Sequence, residues 1–153
     1  MDHRGQFQVS DEGHDIVDWA HFERCRAELG PGFIKILGYF REDGARSVSA
    51  IEQAMREGNT VQLVLPAHTI KGEARQFGAE PLAQLAELIE TTARLCVETR
   101  RFPDELVPQV VELRCLLDRT IELFDKATNP LLSRQRPGGF GRRAGTNTSF
   151  GRA

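Results

Sequence analysis

The sequence lacks several features, and each absence removes a class of function. No run of about 18 apolar residues is present, so no segment is long enough to cross a bilayer. The opening stretch, MDHRGQFQVSDEGHD, has no apolar core of the kind a translocation signal needs, and a cytoplasmic protein is expected. There is no GxxxxGK[ST] loop and no kinase glycine-rich loop, so the chain is not expected to phosphorylate anything from ATP. The three cysteines, Cys25, Cys96 and Cys115, are odd in number and scattered. Each falls at or beside an apolar position, which predicts reduced thiols buried in helices rather than bridges or metal ligands. His3, His14 and His21 stand outside any E-x-x-H arrangement, so neither a metal nor a haem is expected.

What is present begins with an uneven charge. The net charge is -2, yet every residue after position 128 that carries charge is one of five arginines, leaving the body acidic and the tail basic. The tail, NPLLSRQRPGGFGRRAGTNTSFGRA, is rich in Gly, Arg, Ser and Thr and opens on an Asn-Pro that discourages helix. It reads as flexible over 129–153, as does the N-terminus over 1–17. A Gly/Arg tail can contact phosphates, but without an aromatic platform and beside an acidic body it is a weak nucleic-acid signal, and a solvated tail is the favoured reading.

Between the ends, apolar residues step by three and four, and no segment alternates as a strand does. The first helix opens at Asp18, a good N-cap, carries Trp19, Phe22, Cys25 and Leu29, and stops at GPG. The second carries Phe33, Leu37, Phe40, Val48, Ile51 and Met55 and ends at Gly58-Asn59, with Gly44 as a point of loosening or bending. The third spans roughly 60–78, where Pro66 predicts a kink. The fourth begins at Glu80-Pro81 with Leu82, Leu85, Ile89 and Thr92. The fifth shows Leu106, Val110, Leu113, Leu117, Ile121 and Phe124. Four long amphipathic helices with short connections predict an all-α, antiparallel up-down-up-down four-helix bundle over 18–128, with the short first helix as an extra.

The third helix carries the chemistry. Leu63, Ala67, Ile70, Ala74 and Phe77 make its core seam, and His68, Lys71, Arg75 and Gly78 form a parallel stripe about 100° round the helix, toward solvent. Gly72 stands four residues after His68 with no side chain, at a cost of about 0.5–1 kcal/mol relative to alanine, which makes sense if a partner must reach the imidazole past the backbone. A histidine that takes a phosphoryl group needs a free ring nitrogen, room for in-line approach and nearby positive charge, which Lys71 supplies. If the third and fourth helices turn near Ala79, His68 and Glu90 are equidistant from the turn and level across the pair. A carboxylate there would accept the Nδ1 proton and leave Nε2 free. Gln76 is a further candidate for a hydrogen bond near the ring. Val64 and Leu65, with second-helix residues such as Ile34, are expected to form an apolar docking patch.

The string AHTIKGEARQFGAEPLAQLAELIE resembles the signature of histidine phosphotransfer (HPt) domains of bacterial multistep phosphorelays. Ala67, His68, Ile70, Lys71, Gly72, Gly78, Ala79, Leu82, Leu85 and the Ile89-Glu90 pair match it, whereas Glu73 and Ala74 depart from the small residues many members carry. The resemblance implies a four-helix bundle, a phosphohistidine at His68, a Gln or Glu at the place of Glu90, and exchange with aspartates of response-regulator receiver domains in a sensor or hybrid histidine kinase pathway. No cofactor would be bound by this chain. The Mg2+ the chemistry needs would sit in the receiver. Whether a carrier of this kind is an enzyme is left open, and the alternative function is a non-transferring helical module that binds receivers or a kinase.

Overall fold

Residues 12–129 and 131 are described by the computed structural model. The helix signals read from the sequence act where they stand. Asp18 caps α1 (Trp19–Leu29), its side chain accepting the His21 N–H at 3.1 Å, and Gly30, at φ 56°, ends it. A 3-10 turn over Gly30–Gly32 leads into α2 (Phe33–Glu57), which ends at Gly58 in the left-handed conformation, its N–H bonded to the carbonyls of Ala54 and Met55. α3 (Val61–Gln76) follows, then α4 (Glu80–Glu98) with Pro81 in its first turn, a 3-10 turn at Asp104–Leu106, and α5 (Val107–Thr128). No strand occurs among the described residues.

The described residues fall into two compact units, the first ending at Ile121 and the second beginning at Glu122. The first is the bundle. Helices α2, α3 and α4 are joined by the short connections 58–60 and 77–79, so neighbours run antiparallel. α5 returns against α2, as two contacts show: a Cβ on Gly44 would stand 3.0 Å from Leu117 Cδ1, and further along α2 Glu52 pairs with Arg114 at 2.9 Å. The partner number on α5 falls as that on α2 rises, the mark of an antiparallel pair. Gly44 therefore admits the Leu117 side chain; it does not break α2, which runs unbroken through it. α3 likewise runs without interruption through Pro66.

The seam of α3 is the one the spacing predicts, whereas Met55 of α2 and Leu85 and Thr92 of α4, expected on the apolar faces, are only half-buried. Leu63, Ala67, Ile70, Ala74 and Phe77 of α3 are all buried and meet Leu37, Phe40, Val48 and Ile51 of α2 and Leu82, Ala86, Ile89 and Ala93 of α4 in the bundle interior. At the α1 end, Phe22, Phe33, Phe77 and Phe40 form a chain of ring contacts with centroids 5.3, 5.9 and 5.5 Å apart. Each such buried side chain contributes about 1.5–3 kcal/mol. In the second unit, Leu123 and Phe124 are buried and the Thr128 hydroxyl donates to the Phe124 carbonyl at 2.9 Å.

Two expectations change. Cys25 and Cys96 are buried, but Cys115 is exposed, because it sits between the seam residues Leu113 and Leu117 and so points outward. Residues 12–17 are tied down: the Gly13 carbonyl accepts the N–H groups of Ile16 and Val17, Trp19 Nε1 donates to the Glu12 carbonyl at 3.1 Å, and Val17 is buried. The rest of the N-terminus expected to be flexible, and the basic tail apart from Asn129 and Leu131, lie outside the described residues.

Candidate functional site

The hairpin of α3 and α4 sets the register of the site. With the turn at 77–79, His68 and Glu90 come level, and His68 Nδ1 lies 2.9 Å from Glu90 Oε2. Their environments differ sharply: the histidine side chain is 55% exposed and the glutamate 5%. Two cations converge on the same carboxylate. Lys71 Nζ stands 2.9 Å from Oε1, and Arg94, one turn after Glu90 on α4, brings Nη2 to 2.8 Å and Nε to 3.0 Å of Oε2. Burial works to raise the Glu90 pKa, but hydrogen bonds from Lys71, Arg94 and His68 outweigh it and hold the carboxyl at about 2. An ionised carboxylate can only accept, so Nδ1 carries the proton and the neutral ring keeps its lone pair on Nε2.

Around the ring, the surface is open and apolar. Leu65 is 70% exposed, Val61 is exposed and Val64 half-buried. A Cβ on Gly72 would meet nothing within 4 Å, so the glycine leaves clear space beside the histidine. Arg75 is on the exposed stripe but engaged: its Nη2 bonds Glu87 at 2.9 Å and Glu80 at 3.2 Å, clamping the hairpin.

Other predicted site residues stand elsewhere. Gly78 is buried, not on the solvent stripe, because α3 ends at Gln76; at φ 84° it forms the turn, and a Cβ there would come 2.8 Å from the Asp18 carbonyl. The Gly78 carbonyl accepts the Asp18 N–H at 2.9 Å, which fastens α1 to the hairpin. Gln76 lies eight residues from His68, about 12 Å along the helix. Its backbone carbonyl accepts a hydrogen bond from His21 Nε2 at 3.0 Å, and its side chain is not brought to the ring. Ile34 is exposed but opens α2, whereas His68 lies just past the turn that closes it, so the two are about 24 Å apart along the bundle. Arg94 was not foreseen, although its place four residues after Glu90 is the ordinary signal for a helical ion pair.

On the flank of α3 that faces α2, Glu73 meets Asp43. Burial first, then the Asp43 charge and a hydrogen bond with the Asp43 carboxyl, push the Glu73 pKa up to about 7. Asp43 Oδ1 also accepts from Arg46 Nη1 at 2.8 Å.

A family model described as Hpt domain matches residues 35–123, more than half of the chain. The chain belongs to the Hpt domain family. No curated protein and no solved structure matches it. The matched span of this Hpt domain runs from the first turn of α2 into α5 and contains His68, Lys71, Glu90 and Arg94, while α1 precedes it. Membership carries histidine phosphotransfer in phosphorelays, within response-regulator and kinase pathways. Among the described residues of the Hpt chain, no helix is long and apolar enough to cross a membrane, and no three His, Cys, Asp or Glu side chains are grouped to hold a metal ion.

Proposed function

We propose that His68 is the phosphoacceptor of a cytoplasmic phosphorelay carrier that moves a phosphoryl group between aspartates of receiver domains. The observation that carries this reading is the 2.9 Å contact between Nδ1 of a largely exposed histidine and a carboxylate held ionised beneath it. Nε2 attacks the phosphorus of an aspartyl phosphate on a docked receiver, the N–P bond forms, and the bond to the aspartate oxygen breaks with its electron pair leaving on the aspartate. The ring, phosphorylated at Nε2 and protonated at Nδ1, gains positive charge that Glu90 balances. Lys71, one turn from the ring, stabilises the equatorial oxygens. The reverse attack by the aspartate of a second receiver discharges the carrier. The magnesium ion that the transfer needs belongs, in this reading, to the receiver's acidic pocket. Leu65, Val61 and Val64 supply apolar docking surface, and Gly72 gives the receiver close access to the backbone.

The test is transfer of labelled phosphate from a phosphorylated receiver to the wild-type protein and to His68→Gln. The expected result is acid-labile, base-stable label on the wild type and none on the variant. Receivers that bind but transfer nothing to the wild type would overturn the carrier reading in favour of a non-transferring interaction module.

A further inference from the structure

Lys71 and Arg94 flank the reactive ring from opposite sides. In the antiparallel hairpin of α3 and α4, Lys71 stands three residues beyond His68, about 4.5 Å along the axis toward the turn at 77–79, and Arg94 stands four residues beyond Glu90, about 6 Å the other way. Both cations meet on Glu90 between them, Lys71 on Oε1 and Arg94 on Oε2. Oε2 also faces His68 Nδ1, so contacts of 2.8 and 2.9 Å to one atom leave the guanidinium and the ring less than about 6 Å apart. The two cations differ in reach. The Lys71 side chain is 22% exposed, whereas that of Arg94 is 57% exposed and lies level with Val64 and Leu65 on the open surface around the ring.

Arg94 grips Glu90 by one edge only. Nε and Nη2 donate to Oε2 at 3.0 and 2.8 Å, while Nη1 and the second hydrogen of Nη2 are uncommitted among the described residues. A guanidinium fixed along one edge presents the other as a planar pair of donors, an arrangement that matches two oxygens of a phosphoryl group. The charge balance points the same way. Glu90 sets one negative charge against two positive ones, while a phosphoryl group on Nε2 brings about two more negative charges, spread over three oxygens, and Lys71 stands on one side of them alone.

We infer that Arg94 is a second phosphoryl-binding residue: held by Glu90, it bridges that carboxylate to the oxygens of the phosphoryl group on His68, opposite Lys71. The inference rests on His68 as the acceptor and adds the group that holds the far side of what the histidine carries.

The test compares the wild-type protein, Arg94→Gln and Arg94→Lys in two measurements. In the first, labelled phosphate equilibrates between a receiver and the carrier at concentrations too low for their complex to accumulate. The equilibrium share does not depend on how tightly the two proteins dock, so it reads stabilisation of the phosphohistidine and not a receiver contact. The expected result is a carrier-to-receiver ratio about fivefold lower in Arg94→Gln and partly restored in Arg94→Lys, with melting curves that show all three folded. In the second, phosphoramidate loads His68 without any receiver, and the phosphorus NMR signal is followed against pH. Loss of the cation is expected to move the phosphoryl titration to higher pH in Arg94→Gln. An unchanged ratio or an unchanged titration overturns the inference, even where transfer slows, which a docking contact alone would cause. If phosphoramidate loads His68 and the titration moves while receivers transfer nothing, the relay reading falls and the Arg94 contact stands. Label on His68 from neither source overturns both.

Discussion

Two glutamates flank α3, and they have been driven in opposite directions. Glu90 reaches in from α4 and is held ionised at about 2; Glu73 leaves α3 toward α2 and is pushed to about 7. Burial acts the same way on both, against the charged form. The difference lies in what meets them. Glu90 receives Lys71, Arg94 and the imidazole N–H, whereas Glu73 receives another carboxyl group. One flank of the helix is thereby a fixed negative charge under a histidine, and the other is a group that changes charge near neutral pH.

The contrast can be broken most forcefully at Glu90. Glu90→Ala strands three donors over a buried gap and is expected to lower stability by about 2 kcal/mol at neutral pH, measured by urea unfolding. Because the folded-state pKa is depressed, the stabilisation from Glu90 is complete above about 4.5 and is lost as the pH falls toward about 2, so the gap between wild type and variant closes over that window. Glu73 sharpens the comparison with the reverse sign. Its raised pKa gives stability that is complete below about 4.5 and lost as the pH rises through about 7. Glu73→Gln is therefore expected to gain on the wild type across that interval, by about 1 kcal/mol at the alkaline end of a pH series of melting curves. The smallest effect belongs to Arg94→Gln. Its side chain is 57% exposed, so stability changes by about 0.5 kcal/mol or less, while NMR titration finds the Glu90 carboxyl above its wild-type value but still below 4.5, held by Lys71 and His68.

The parts of the fold and site legible in the sequence are those set by a single helix or by one hairpin. The 4-3-4-3 seam of α3 is local periodicity, and all five of its members are buried. The contact between His68 and Glu90 follows from counting residues on either side of one tight turn. Gly78 was misplaced because extending the helical stripe two residues too far turned a left-handed turn residue into a surface one. Ile34 failed because apolar character says nothing of position along the bundle axis. The Asp43–Glu73 contact depends on the α2–α3 register across a connection whose geometry no motif announces, so nothing in the string of residues pairs those two acids. Lys71 was read as the positive charge beside the ring; that it also leans on Glu90 depends on a carboxylate carried by another helix.

The turn at 77–79 also constrains how this chain can change over time. His68 and Glu90 are 22 residues apart and meet only because each helix delivers its side chain at the right angle. Substitutions at most positions of that span leave the meeting intact, but one inserted or deleted residue within either helical run swings a partner by about 100° and moves it about 1.5 Å. The connection at 99–106 carries no such obligation, since no site residue depends on the register across it. Length variation is thus expected to accumulate in the second loop and to be purged from the segment between the histidine and its glutamate. Libraries that scan single-residue deletions along the chain will read that boundary directly.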